Sequence, residues 1–399
     1  MKPLATRATG LAPSLTVSID AQAKAMIARG LDVIALGAGE PDFDTPQNIQ
    51  QAAIRSIQQN QSRYTATAGL PELKKSVCNK LLRENGLHYD PSQIVICSGA
   101  KHAVFNALQA LIEPGDEVII PTPYWVTYPE LVRFLGGTPV ILTAEMNQGF
   151  RITPQQLRKS ITPRTKLLIL NSPNNPSGAV YPSDTLREFA QILVQHDLYC
   201  LTDEIYEHMI YRGVHCSIAS LGEEIQERTV LINGVSKSYA MTGWRIGYLA
   251  ASNPLASAIA RIQSQTTHHP ANVSQWAAVE ALDHGANFWR TMREALLERR
   301  DTTFKALSTI PGLRINEPEG AFYAFPEVRS YYGKKTSSGQ PIKGSVDLCS
   351  WLLESQHLAI IPGAAFGMDH HVRLSYTVSL DKLQEALHRL RTGFLTLVG

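Results

Sequence analysis

Residues 229–250 read TVLINGVSKSYAMTGWRIGYLA. TVLIN at 229–233 and RIGYLAA at 245–251 are short apolar runs of strand type, and the polar segment between them carries Lys237. The same kind of run recurs upstream as IVIC at 94–97, EVIIP at 117–121, PVILT at 139–143, KLLIL at 166–170 and LYCLT at 198–202. Segments of helical period separate them; in 101–112, Val104, Leu108 and Leu111 share one face. Alternation of this kind from about residue 47 to 250 predicts an α/β fold, with a large domain whose mixed, mostly parallel sheet is flanked by helices.

The pattern then changes. A charged helical stretch over about 286–309 is followed by FYAFP at 322–326, a helix near 345–356, AIIPG at 359–363, VRLSY at 372–376 and a last helix to about 396. These elements predict a smaller α+β domain, with YYGKKTSSGQPIKG at 331–344 as a polar loop. The expected division is 46–285 for the large domain and 286–399 for the small one. Segment 1–45, too short for a domain, is expected to pack on the small one.

A chain of 399 residues with 44% apolar and 18% charged residues has globular composition and exceeds what one core usually supports. Its 37 Lys plus Arg nearly balance 35 Asp plus Glu, and no basic stripe tracks a phosphate backbone, which argues against nucleic acid as a partner. Cys78, Cys97, Cys200, Cys216 and Cys349 are scattered, with no spacing suited to zinc, so the expectation is a reducing compartment and no metal. No apolar run is long enough to span a membrane, and the N-terminus lacks the apolar core of a secretory signal. The first acidic residue is Asp20, a faint likeness to an organelle transit peptide, but the expected location is cytoplasmic.

Four motifs carry chemistry. In SKSYAMTGWRIGY at 236–248, Lys237 is a candidate amine nucleophile and Arg245 suits a phosphate or carboxylate, although two loop cations are also ordinary at a surface. SPNNPSG at 172–178 and TDEIYEH at 202–208 each follow a predicted strand, where open α/β sheets place their ligands. There Asp203 can pair with a cationic ring nitrogen, and Tyr206 and Asn175 can donate to an oxygen anion, whereas turn chemistry alone would explain the Asn, Pro, Ser and Gly. In CSGAKHAVFNAL at 97–108, Gly99, Ala100 and Lys101 offer backbone N–H groups at a helix start, which a plain helix cap would also explain.

Together these pieces match one chemistry, that of pyridoxal 5′-phosphate. The chain resembles fold-type I pyridoxal-phosphate aminotransferases of the aspartate aminotransferase family, in their bacterial-type subgroup. GAGEPDFDTP at 37–46 and PTPYWVTYPE at 121–130 are similar to that subgroup as well, and the match runs from about residue 12 to the C-terminus. The resemblance implies that Lys237 holds the cofactor as an internal aldimine and then moves the proton between substrate Cα and cofactor. It implies that Asp203 faces the pyridine nitrogen, that Tyr206 and Asn175 face the phenolic oxygen, and that Trp125 stacks on the ring. The phosphate would lie on Gly99, Ala100, Lys101 and Arg245, with Tyr64 of RYTATAG reaching in from the partner of a homodimer. The substrate α-carboxylate would meet Arg373 of HVRLSY, with Gly39, Asn175 and Trp125 alongside.

The expected reaction is ping-pong transfer, through aldimine and ketimine, from L-aspartate to 2-oxoglutarate, giving oxaloacetate and L-glutamate. One branch of the family binds the distal carboxylate with an arginine after the lysine motif, but SQTTHHPAN at 264–272 has none. In the subgroup a lysine at the position of Lys101 takes that role. Ala12 stands where relatives acting on prephenate carry a basic residue, Gly234 stands where many carry a phosphate-binding serine, and His268 and His269 have no assigned role. Aromatic, prephenate and alanine aminotransferases share every cofactor residue. A non-catalytic pyridoxal-phosphate-binding regulator would need a DNA-binding domain, and no recognition helix is evident. An NAD-type oxidoreductase lacks its glycine fingerprint.

Overall fold

The computed structural model describes residues 2–398. Its principal sheet has seven strands in the order β2-β8-β7-β6-β5-β3-β4. These are β2 (Ile94–Cys97), β3 (Glu117–Pro121), β4 (Thr138–Leu142), β5 (Thr165–Asn171), β6 (Tyr199–Asp203), β7 (Thr229–Gly234) and β8 (Gly247–Ala250). Only β8 runs against its neighbours; β7 pairs with β6 in parallel, and β8 is antiparallel to both β7 and β2.

Both faces of this sheet are covered, which is why its strands lack polar alternation. In β2, Ile94 and Ile96 pack with Leu73, Val77 and Leu81 of the Pro71–Asn85 helix and with Ala277, Ala278 and Ala281 of the Asn272–His284 helix. Val95 and Cys97 turn the other way, onto Val104, Ala107 and Leu108 of the Ala100–Leu111 helix.

The expected strands all occur; IVIC and EVIIP keep their bounds and the others shift at one end or both. RIGYLAA shrinks to Gly247–Ala250, because Arg245 takes a left-handed backbone conformation (φ +57°) and belongs to the turn before β8. FYAFP contributes only β9 (Tyr323–Ala324). AIIPG is split into β10 (Leu358–Ala359) and β11 (Ile361–Pro362), because the chain pairs first with one neighbour and then with another. β10 pairs in parallel with β1 (Ile34–Ala35), whereas β11 pairs antiparallel with β12 (Val372–Ser375), which also holds β9.

The Leu15–Ala28 helix buries Ile19, Ala23 and Met26 in the cluster that also contains Leu352, Leu358 and Leu390. In the same cluster the Ala286–Ser308 helix buries Met292, Leu296 and Leu307, and Leu383, Leu387 and Phe394 come from the Leu380–Thr396 helix. Gly285 separates the Asn272–His284 helix from the Ala286–Ser308 helix. Among the described residues no helix is long and apolar enough to cross a membrane.

Candidate active site

At the C-terminal edge of the parallel strands lies a cleft of about 440 Å³. Ten of the sequence-derived candidates line it or flank its wall. Gly39, Ala100, Lys101, Trp125, Asn175, Asp203, Tyr206, Lys237, Arg245 and Arg373 are lining residues. Gly99 is the residue before Ala100, and its backbone abuts Arg245. Tyr64 is not among the lining residues; its ring is 92% exposed and touches His268 and His269 edge-on.

Register places the polar groups. Asn171 and Asp203 are opposite one another at the ends of β5 and β6. Asn171 donates through Nδ2 to the Asp203 carbonyl at 2.9 Å and accepts from the Asn175 backbone N–H at 2.8 Å, which holds the loop after β5 in place. The Asp203 carboxylate accepts from Tyr128 Oη at 2.7 Å and from the Ile205 N–H at 3.2 Å. Burial pushes its carboxyl up to about 6, against these two hydrogen bonds, which favour the anion. It is thus a buried acid poised to change charge within a unit or so of neutrality.

Lys237 follows β7 and its ammonium donates to the Gly39 carbonyl. Burial, reinforced by the Arg245 and Arg373 charges, pushes this amine down to about 8; Glu40 and Asp203 act in the opposite sense. Such an amine is partly neutral near physiological pH, as a nucleophile or proton acceptor must be.

Arg373 of β12 is 5% exposed. One guanidinium nitrogen donates to Asn175 Oδ1 at 2.9 Å and another to the Gly37 carbonyl at 2.6 Å, while Nε is buried without a partner among the described residues. The plane of the group is gripped by Tyr323, at 4.6 Å, and Phe366, at 4.9 Å. A cation held this rigidly, with one buried donor unspent, is suited to a carboxylate.

The remaining cations flank the start of the Ala100–Leu111 helix. Gly99 has φ +89°, and a Cβ there would lie 2.4 Å from an Arg245 guanidinium nitrogen, so only glycine lets the arginine come so close. Backbone N–H groups of the first helical turn, Ala100 and Lys101, lie beside this guanidinium, which makes a ready cradle for a phosphate. Lys101 Nζ stands 4.9 Å over the Trp125 ring, and burial plus the Arg245 charge hold its amine below the usual lysine range.

Gly234 also has a steric reason. Its Cβ would lie 2.9 Å from both Gly247 Cα and the Ile246 carbonyl oxygen, atoms of the adjoining backbone that cannot swing aside. A serine there therefore does not fit this pairing of β7 and β8.

Among the lining residues that the sequence reading did not assign are Tyr128, Asn171 and Tyr323, together with Ser236, which was considered beside Gly234 and left out. Tyr128 sits within the quoted PTPYWVTYPE and Asn171 directly after KLLIL, so position at a strand end was an available signal for the second. FYAFP was read only as a strand, and nothing local distinguishes Tyr323 from a core aromatic. The acids beside Asp203 are charge-balanced instead: Glu207 is paired with the buried Lys80, and Glu204 accepts from Ser217 at 2.7 Å and meets His215 at 2.9 Å. Burial alone would raise the Glu207 carboxyl, but Lys80, His208 and His215 outweigh it and hold it well below the usual range.

Comparison with known proteins agrees with this arrangement. Residues 31–390 match the family model described as aminotransferase class I and II. The chain is 44% identical to an aspartate aminotransferase of Bacillus subtilis over 97% of its own length and 98% of the relative's. It is 45% identical to an aspartate/prephenate aminotransferase of Cereibacter sphaeroides, over 95% of each. The crystal structure of the aspartate aminotransferase from Rhizobium meliloti superposes with a TM-score of 0.95, covering 100% of both chains at 44% identity. With the family model matching most of the chain and relatives above 40% identical over nearly its whole length, the chain is a member of the class I and II aminotransferase family.

Proposed function

We propose that this enzyme transfers the amino group of L-aspartate to 2-oxoglutarate, yielding oxaloacetate and L-glutamate in two half-reactions. The observation that carries the reading is the convergence of Lys237, Asp203 and Arg373 on one cleft, each in an environment suited to its role. Pyridoxal phosphate, the family's cofactor, supplies when bound an aldehyde that condenses with amines and a ring that accepts electrons. The residues fit it. Asp203 supplies a buried carboxylate for the pyridinium, the Gly99–Lys101 turn with Arg245 supplies N–H donors and charge for the phosphate, and Lys237 supplies the amine.

Arg373 binds the substrate α-carboxylate and so orients Cα; its neighbours Gly39 and Asn175 confine that carboxylate. Lys237 then takes the proton from Cα and returns it on the opposite leg of the transfer. Tyr206 and Asn175 would hold the phenolic oxygen through their donors, and Trp125 would supply an aromatic face for the ring. Lys101, held over Trp125 and depleted of counter-charge, receives the distal carboxylate of aspartate or glutamate. Tyr64, exposed on this chain, serves the site of a second copy in a homodimer. In this reading residues 46–285 form the cofactor-binding unit. The smaller unit is 286–399 together with 1–45, supported by the Ile34–Leu358 pairing and the break at Gly285. The protein acts in the cytoplasm, without nucleic acid or membrane partners.

The test is a half-reaction panel in which the cofactor-loaded protein is mixed with single amino acids and its visible absorbance is followed. Aspartate and glutamate should convert it fast, and Lys101→Ala should lose that preference by roughly 10²-fold, the worth of a buried charge-assisted pair. Conversion by aromatic or neutral amino acids alone would overturn the substrate assignment. Prephenate, a substrate in the name of the Cereibacter sphaeroides relative, belongs in the reverse half of the same panel.

A further inference from the structure

Tyr323 occupies a place that neither the mechanism above nor its motifs account for. It lies on β9 opposite Ser375 of β12, two residues from Arg373, and is 1% exposed. Its hydroxyl is 2.8 Å from that of Tyr206, and among the described residues neither phenol has another hydrogen-bond partner. Its ring covers the Arg373 guanidinium at 4.6 Å. Gly39 leaves room for it, since a Cβ at that position would lie 2.3 Å from the Tyr323 oxygen. One side chain therefore touches the phenol at the cofactor end of the cleft, the arginine at the carboxylate end and the backbone that accepts from Lys237.

Proton counting sets the direction of the bond. Burial pushes both phenols above their ordinary range, so each keeps its single proton. A phenol with one proton can donate once. If Tyr206 donates to an anionic ring oxygen, its proton is no longer available to Tyr323, and the 2.8 Å contact requires Tyr323 to donate to Tyr206. A chain of two donors is then aimed at that oxygen, and the outer donor strengthens the inner one by polarisation.

We propose that Tyr323 is a positioning residue that donates to Tyr206, commits the Tyr206 proton to the cofactor's phenolic oxygen, and holds the Arg373 guanidinium flat beneath its ring. The inference rests on the cofactor-binding reading above. Its consequence is that one residue ties the electronics of the bound cofactor to the arginine that binds the substrate carboxylate. Its two contacts are separable: Tyr323→Phe removes the hydroxyl and keeps the ring, and Tyr323→Leu removes both.

The experiment loads the wild type, Tyr323→Phe, Tyr206→Phe and the double variant with pyridoxal phosphate and titrates the visible absorbance against pH. A donor to the ring oxygen cancels part of the charge that retains the neighbouring proton, so weakening the donor moves the midpoint up. Tyr323→Phe should raise it by about half a unit, the size of one neutral hydrogen bond's partial loss. Tyr206→Phe should raise it further, and the double variant should match Tyr206→Phe alone, because the outer phenol acts only through the inner one.

A 3-fluorotyrosine at position 323, which keeps the shape and sharpens the donor, should move the midpoint down; this arm holds even if Tyr323→Phe folds poorly. In turnover, Tyr323→Phe should lower kcat and leave KM for the amino acid within about twofold, while Tyr323→Leu should also raise KM. An unchanged midpoint in Tyr323→Phe and in the fluorinated protein, or a shift that persists undiminished on the Tyr206→Phe background, would overturn the inference. A wild type that develops no visible band on loading would overturn the cofactor-binding reading itself.

Discussion

Tyr128 Oη donates to Asp203 Oδ2 across 2.7 Å of buried space, joining the Thr127–Phe134 helix that follows β3 to the end of β6. The bond favours the Asp203 anion against burial, which otherwise pushes the carboxyl up to about 6. Tyr128→Phe should therefore raise the Asp203 carboxyl by roughly one unit, the worth of one hydrogen bond to a charged group. Because only the anion balances a pyridinium, cofactor affinity should fall below about pH 6 in the wild type, and a unit higher in the variant. Equilibrium binding of pyridoxal phosphate across pH checks this; coincident acid limbs would count against it.

Lys237 has its amine pushed down to about 8 by burial and by the Arg245 and Arg373 charges. Only the neutral amine attacks an aldehyde. Cofactor uptake by the empty protein should speed up about tenfold per pH unit below this value and level off above it. Lys237→Ala should lose turnover by on the order of 10³-fold or more while its circular dichroism stays native. Stopped-flow absorbance during loading measures the first, and a rate independent of pH would refute it.

Arg373 presents a planar fork between Tyr323 and Phe366. A lysine cannot reproduce two parallel donors or the stacking. Arg373→Lys should reduce kcat/KM for aspartate by roughly 10²-fold, mainly through KM, with little change in the absorbance of the bound cofactor. Steady-state kinetics with both substrates decide the matter.

Gly234 and Gly247 face each other where β7 meets β8. Restoring the serine that many relatives carry, as Gly234→Ser, forces backbone atoms apart from 2.9 Å. The expected cost is about 1–3 kcal/mol, seen as a lower urea midpoint, with no gain in cofactor affinity.

His371 is 4% exposed, stacked on Phe325 at 4.8 Å, and neither ring nitrogen has a partner among the described residues. Burial, with His370, Arg329 and Arg314 adding to it, pushes the imidazole down to about 4. The folded value lies below the ordinary 6.5, so the unfolded chain takes up a proton that the folded one refuses. Stability from this group is complete above about pH 6.5 and is lost as pH falls towards 4, about 3 kcal/mol in all. His371→Phe should remove that part of the acid limb in urea unfolding at pH 7 and 4.5.

How much was legible in the chain varies with the kind of information. The strands of the principal sheet were readable because burial on both faces demands uninterrupted apolar runs, and TVLIN and IVIC have no other use for such composition. Lys237, Asp203 and Asn175 were readable because each lies within five residues of the end of such a run, and strand ends are where this architecture presents its loops. The turn at Arg245 was not, since a left-handed residue before β8 depends on the guanidinium meeting Gly99, which is remote in the sequence. The split of AIIPG at Ile360 was equally hidden, because it follows from which strands happen to be neighbours.

Composition and local order thus determined the layered α/β architecture, the family and the identity of the chemical groups, since those depend on periodicity and on motifs a few residues long. The tertiary structure alone decided how these groups act on each other. Tyr323 and Tyr206 are 117 residues apart, and Arg373 meets Asn175 across 198. The shifted ionisation of Lys237 and Asp203 likewise comes from burial and from charges on other segments, quantities that exist only once the chain has closed around them.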